Sequence, residues 1–439
     1  MLLLLLHLTL LVALQQLQGC GACRWAAYLG AAPLNASDLL IEPPHALALQ
    51  SHRAPFVPHL NESALYDARK AKLRDSKINM DGFGVGWFDP AVKTATPSRP
   101  LARNWRSDDP VTDEATGLPT KRAQEIAAAV ESRVVFTHIR AGSGAKVGVH
   151  NSHPFVVATA PHVADPQVRR SRSLLFMHNG VLHDFDALQP RLVEHIGFER
   201  RQHIVGETDS EHAGALLGHL LRQHPRHAEE DGEGEGGGDG SGTLALEDIM
   251  DAVQKLVQHL DHLDPDEDLT ALDGFPDLDG LAESLPPTTG EGEGGGRSCG
   301  AAHSLNFAVS DGFSLVATRF RSCLEQEPPS LYYGLGELDA STGAMKPAGS
   351  SDGKQQQQGP RGIVIASEPL SGPGAGAESW TLVHKDEMIG ATLVDGSVEV
   401  VRRCLSTACT MDRRARAEAQ AETAAAKKRA ETAAKEHDL

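Results

Sequence analysis

Cysteine is scarce in this chain, with six in 439 residues. A count that low in a chain that long does not make a disulfide framework. Basic charge is also short: 41 Lys and Arg stand against 59 Asp and Glu, a formal net charge of -18. That balance argues against a nucleic-acid partner, because phosphate binding needs a basic face. Part of the acidic excess sits in one Gly-rich stretch, Glu229 to Gly242, which is too polar to pack. Past the first residues there is no apolar run long enough for a membrane span.

The one early apolar run is Leu2 to Leu14, broken only by His7 and Thr9. It is too short to cross a bilayer comfortably and has the length of a signal-peptide h-region. Cys20-Gly21-Ala22 puts small residues at -3 and -1 of a cleavage before Cys23. No Lys or Arg precedes the run, and Leu17-Gln18-Gly19-Cys20 matches a lipoprotein box poorly at Gln18. A start site downstream of Met1 is the third reading of residues 1–22. Cleavage before Cys23 would leave a thiol beside a free α-amine. Such an amine has a pKa near ~8 and can serve as the thiol's own base. Cys20 and Cys23 also form a Cys-x-x-Cys, but no strand and crossover helix frame them as a redox motif.

Hydrophobic content of 40% supports a sizeable core. Short apolar runs at Val134–Ile139, Leu174–Met177 and Gly362–Ser367 predict strands. Leu305–Val309 and Phe313–Thr318 predict a pair turning at Asp311-Gly312, and Met388–Val401 a hairpin turning at Asp395-Gly396. Thr120–Ser132 and Leu244–Leu260 carry helical spacing. The mixture predicts an α+β fold of sheets covered by helices. Residues 226–303 read as an acidic, Gly-rich insertion carrying one amphipathic helix. Residues 402–439 read as a charged, Ala-rich tail.

Five clusters carry possible chemistry. Cys23-Arg24-Trp25 opens the globular region. Asn79-Met80-Asp81-Gly82-Phe83-Gly84-Val85-Gly86-Trp87 has glycines that permit close backbone approach, and no Lys-Ser/Thr follows to make a phosphate loop. Thr137-His138-Ile139-Arg140-Ala141 ends a strand in an arginine able to hold a carboxylate bidentately or to form a structural ion pair. Asn151-Ser152-His153-Pro154-Phe155 follows. His153 reads either as a pocket residue or as a satisfied turn histidine, and no Cys or carboxylate completes a metal set with His138 and His150. In Phe176-Met177-His178-Asn179-Gly180, a turn at Asn-Gly would aim two donors at one point, as an oxyanion hole does, or would be an ordinary hairpin turn. In Gly206-Glu207-Thr208-Asp209-Ser210-Glu211, Asp209 reads as an ammonium ligand or as a helix N-cap.

In this order and spacing the clusters resemble the class II glutamine amidotransferases, which are N-terminal-nucleophile (Ntn) hydrolases. The similarity is to the branch holding the γ-glutamyl amidase of ergothioneine synthesis and the amidotransferase-like subunit of the fungal glutathione-degradation complex. The motifs are CRWAAYLG, ALQS at Ala48 to Ser51, NMDGFGVGW, THIRAGSG, NSHPF, MHNG and GETDSE, with LNFAVSDG and ASEPL further on. They run from Cys23 to about Val401.

The resemblance implies a four-layer αββα sandwich over residues 23–401, interrupted by the insertion. It implies Cys23 as nucleophile with its α-amine as base, and Asn179 and Gly180 as oxyanion donors. It also implies Arg140 on the substrate α-carboxylate, Asp209 on the α-ammonium, and His153 lining the pocket. It implies no cofactor, a small γ-glutamyl substrate and cytoplasmic location; a true signal peptide would instead imply the secretory pathway. No synthase domain follows in the sequence, so hydrolysis, or work with a separate peptidase or synthase subunit, is expected. If residues 1–22 stay attached, the alternative is a non-catalytic γ-glutamyl-binding scaffold.

Overall fold

A computed structural model describes residues 23–52, 79–89, 100–142, 146–159, 173–197, 201–223, 244–263, 302–347, 359–372 and 376–415. The Cys20 thiol, the acidic stretch at 229–242 and most of the charged tail lie outside these residues.

Two antiparallel sheets form the centre. The first has the order β13 (Thr381–Leu382), β9 (Tyr332–Leu335), β12 (Gly362–Ala366), β1 (Arg24–Asn35), β4 (Glu131–Ile139), β2 (Phe83–Asp89), β3 (Leu101–Ser107). The second has the order β15 (Ser397–Cys404), β14 (Glu387–Val394), β8 (Ser314–Arg319), β7 (Ser304–Ser310), β6 (Ser173–Val181), β5 (Phe155–Ala158). A small two-stranded ribbon of β10 (Glu337–Asp339) and β11 (Ala344–Lys346) packs on the outer core of the first sheet through Met345.

Side chains alternate across a strand, and three apolar clusters follow from that. Trp25, Ala27 and Leu29 of β1 join Leu175 and Met177 of β6 and Leu315 and Ala317 of β8 in a core between the sheets. Ala26 and Tyr28 face the other way, onto α1 (Ser37–Leu40), α2 (Leu47–Gln50) and α3 (Lys121–Ala129). Leu174 and Phe176 likewise face α4 (Phe185–Ile196), α5 (Asp209–Gln223) and α6 (Leu246–His262). The layers are therefore helix, sheet, sheet, helix, as the resemblance implied.

The sequence-derived elements fall close to their predicted places. Thr120 caps α3 by accepting the Ala123 N–H. The helix foreseen in the insertion is α6. It buries Ile249, Met250, Val253, Leu256, Val257 and Leu260 in the second sheet's outer core, so it belongs to the helical layer itself.

Two expectations change. Asn179-Gly180 makes no turn, because β6 continues to Val181 and Asn179 pairs with Asn306 of β7. Two cysteines also bond locally: Cys404 at the end of β15 and Cys409 in the helical segment 407–415 form a disulfide. The intervening turn brings their Cα atoms to 5.5 Å, within bridging range. Cys323 is disulfide-bonded as well, and Cys23 is a free thiol.

Candidate active site

The site is built at one end of the sandwich. Cys23 immediately precedes β1, and its odd number puts it in register with Trp25 and Ala27, toward the space between the sheets. Arg140 immediately follows β4 in register with Val134 and Phe136, which face the same space. Asn179, near the end of β6, is in register with Leu175 and Met177, which face it from the second sheet. Asp209 is the first residue of α5.

The partly buried Cys23 thiol touches Ala141. The Ala141 N–H points at Sγ from 3.4 Å, and the Ala141 carbonyl accepts the S–H at 3.7 Å. That loop is fixed by Asp81, whose Oδ2 accepts the Gly142 N–H at 2.6 Å, while Gly82 O accepts the Arg140 N–H at 2.8 Å. Burial pushes the thiol pKa up; the Ala141 N–H and the Arg140 guanidinium pull it down, and the Asp209 carboxylate pushes it up again. The net shift is upward, so this thiol needs a base to react at neutral pH.

Asn179 is buried, and neither its Nδ2 nor its Oδ1 has a hydrogen-bond partner. Its neighbour Gly180 admits no side chain: a Cβ there would lie 1.9 Å from the Ser304 carbonyl oxygen. Other unpaired buried atoms share the space. Trp25 Nε1, His138 Nδ1 and Asn306 Oδ1 also lack partners, and register places all three residues between the sheets.

Arg140 is buried, with Nη1 at 3.5 Å from Asp81 O. The Asp209 carboxylate is built into the turn after β6. Its Oδ2 accepts the Leu182 N–H at 2.8 Å and its Oδ1 the Ser210 N–H at 2.7 Å. Thr208 takes the cap position, its Oγ1 accepting the Glu211 N–H at 3.2 Å. The Ser210 hydroxyl lies between Asp209 Oδ1 (3.0 Å) and His178 Nδ1 (2.9 Å) and donates to one of them.

Behind these groups three histidines form a buried cluster. His178 Nε2 donates to Ser304 O at 2.9 Å. His153 Nδ1 accepts the His178 backbone N–H at 3.4 Å and faces His138 Nε2 at 2.9 Å. An acceptor Nδ1 on His153 makes His138 the Nε2–H tautomer, which leaves the His138 Nδ1 lone pair unmet. Burial lowers all three pKa values, that of His138 to about 3, so all are neutral at physiological pH. His153 is buried within the stack, whereas His150 is exposed on its short helical turn.

The motif glycines have the expected role. A Cβ on Gly84 would lie 2.2 Å from the His153 carbonyl oxygen, and one on Gly86 would lie 2.6 Å from the Pro154 ring. Asn151 joins two motifs, its Oδ1 accepting the Glu207 N–H at 2.9 Å. Ala141, Asp81 and Asn306 join the site without having been candidates, although all three stand inside the motifs THIRAGSG, NMDGFGVGW and LNFAVSDG.

The family model for class-II glutamine amidotransferases matches residues 63–236. Over those residues the chain is similar to that family of enzymes. It is 27% identical over 356 residues to the probable glutamine amidotransferase DUG3 of Saccharomyces cerevisiae, covering 80% of this chain and 76% of that protein. It is 31% identical over 134 residues to the gamma-glutamyl-hercynylcysteine sulfoxide hydrolase of Mycolicibacterium smegmatis, covering 30% of this chain and 45% of that protein. A solved class-II domain protein from Silicibacter pomeroyi aligns over 88% of this chain and all of its own, at 19% identity and a TM-score of 0.40. Among the described residues no helix is long and apolar enough to cross a membrane.

Proposed function

We propose that the chain, once it begins at Cys23, hydrolyses γ-glutamyl amide bonds through a γ-glutamyl thioester on Cys23. The observation that carries this reading is Asn179: a carboxamide buried with both polar atoms unpaired, facing the space that Cys23 faces. Such a group is available to a bound ligand. A tetrahedral oxyanion would take the Nδ2 donor.

The chemistry follows from the neighbours. The free α-amine of Cys23 takes the thiol proton, and Sγ bonds to the γ-carbonyl carbon. Asn179, with the Gly180 N–H, stabilises the oxygen's charge. The C–N bond then breaks, and the leaving amine carries away the proton held on the α-amine. Water, deprotonated by the same amine, attacks the thioester, releases glutamate and restores the thiol. Arg140 and Asp209, opposite charges whose fields both reach the thiol, would read the α-carboxylate and α-ammonium of the glutamyl head.

The M. smegmatis relative, named for a γ-glutamyl substrate, supports this substrate class, with glutathione, related γ-glutamyl peptides and glutamine as its members. The test compares glutamate release from glutathione and glutamine by the chain beginning at Cys23 and by its Cys23→Ala form. Release by the first alone is expected. Equal release by both, or none by either, overturns the reading.

A further inference from the structure

The opposite face of the same strand end carries a second polar cluster. Arg24 is in register with Ala26 and Tyr28 and therefore points away from the inter-sheet space. Its Nε donates to Glu368 Oε1 at 3.0 Å, and its Nη1 donates to the Cys23 carbonyl oxygen at 3.1 Å. Glu368 is 1% exposed and its second oxygen, Oε2, faces His45 Nε2 at 2.9 Å. His45 is fixed in turn: its N–H donates to Leu370 O at 3.0 Å, and its carbonyl accepts Gln50 Nε2 at 2.9 Å. The preceding residue, Ser367, pins Trp25 from both sides. Its Oγ accepts the Trp25 N–H at 3.0 Å, and its N–H donates to Trp25 O at 2.9 Å.

The first residue of a chain has no upstream peptide bond to hold it, and chain ends fray unless tied down. Its orientation is set by its own carbonyl, by its side chain and by the residue after it. Here the carbonyl is held by Arg24, the thiol by Ala141, and the next residue by Ser367. The carbonyl carbon, α-nitrogen and Cβ of Cys23 share one tetrahedral carbon. Holding the carbonyl oxygen fixes the peptide plane and hence the place of that carbon, and the Ala141 contacts to the thiol set the rotation about the bonds leaving it.

We propose that Glu368, braced by His45, is a positioning residue for the nucleophile: acting through Arg24, it holds the Cys23 carbonyl and so aims the α-amine and thiol into the site. This rests on the hydrolase reading for its consequence, though the contact itself does not. A buried carboxylate is expensive to keep, and this one is spent on a guanidinium whose other arm reaches the nucleophile's own backbone. The two halves of the device are far apart in sequence. The nucleophile is therefore aimed only after β12 has docked beside β1.

The experiment uses the chain beginning at Cys23 as parent, with Glu368→Gln, Arg24→Ala, the double variant and Arg24→Lys. Turnover of glutathione, normalised to folded protein, is read beside the rate at which iodoacetamide alkylates Cys23. Glu368→Gln is expected to lower kcat by ~10- to 100-fold, the cost of misplacing a reacting group by about 1 Å, with KM little changed. In the Arg24→Ala background it should cost nothing further. Alkylation should become severalfold faster as the thiol is released. Parental kcat in Glu368→Gln, or an equal second loss in the Arg24→Ala background, overturns the proposal.

Arg24→Lys keeps a charge for Glu368 but loses the two-armed fork, which covers the case in which Glu368→Gln does not fold. Its kcat should fall as well, and an unchanged kcat overturns the proposal. A parent inactive on every γ-glutamyl substrate sinks the hydrolase reading instead. Positioning is then read from alkylation alone, and equal rates in parent and Arg24→Lys overturn it.

Discussion

The two faces of the strand end at Cys23 make opposite use of buried polar groups. On the outward face, Arg24, Glu368 and His45 satisfy one another, and their carboxylate is held by two partners. Burial pushes the Glu368 carboxyl up, yet Arg24 and His45 outweigh it and the net shift is downward. On the inward face, Asn179, Trp25 Nε1 and His138 Nδ1 are buried and unpaired. A satisfied cluster contributes to holding a shape. An unsatisfied one costs stability that a bound ligand can return. The difference separates what positions the nucleophile from what awaits the substrate.

The comparison breaks most visibly at Glu368. Glu368→Ala leaves Arg24 and His45 without their anion and should cost about 3–5 kcal/mol of stability, read as a lower denaturant midpoint. On the other face, Asn179→Ala should lower kcat by ~10²- to 10³-fold, the cost of losing an oxyanion donor. Its melting temperature should hold or rise, because two unmet polar atoms are removed. A large stability loss from Asn179→Ala would erase the distinction between the faces.

The histidine stack behind the site predicts a pH dependence. His138 has a folded pKa of about 3 against ~6.5 unfolded. The unfolded chain therefore binds the proton first. Stability is full above pH ~6.5 and falls as the pH drops toward 3, by up to about 1.4 kcal/mol per pH unit for each such histidine. Denaturation series at pH 7, 6 and 5 measure the slope, and His138→Gln should make it shallower. The smallest effect belongs to a site remote from both faces. Thr120→Ala removes the cap of α3 and should cost ~1 kcal/mol, with turnover per folded molecule unchanged.

The sequence was most legible where the signal is local. The hairpin of β7 and β8 and that of β14 and β15 follow from alternating apolar residues around Asp-Gly turns. The stripe Leu246, Ile249, Met250, Val253 located α6. Gly84 and Gly86 announced a close approach, which turned out to be that of His153-Pro154. Local reading failed at Asn179-Gly180, whose dipeptide signals a turn. Pairing with Asn306 across the sheet overrode that propensity and kept the strand extended.

The site was legible as a set of motifs but not as contacts. The cradle of Cys23 joins Ala141, Arg24 and Glu368, and the last two are 344 positions apart. No window of sequence shows that pairing, since only the docking of β12 on β1 creates it. The same long reach explains why His45 drew no attention: alone it is one histidine before a four-residue helix. The neutral state of the histidine stack was also hidden, because it arises from burial rather than from residue type.

Hydrolysis through Cys23 turns on its free amine. An amide nitrogen at that position accepts no proton, and the raised thiol would then have no adjacent base. The direct measurement is the N-terminal sequence of the native protein, taken from its own cells. A chain beginning Cys23-Arg24-Trp25 is expected. A native chain that begins at Met1 and still releases glutamate from γ-glutamyl substrates would contradict a role for the amine as base.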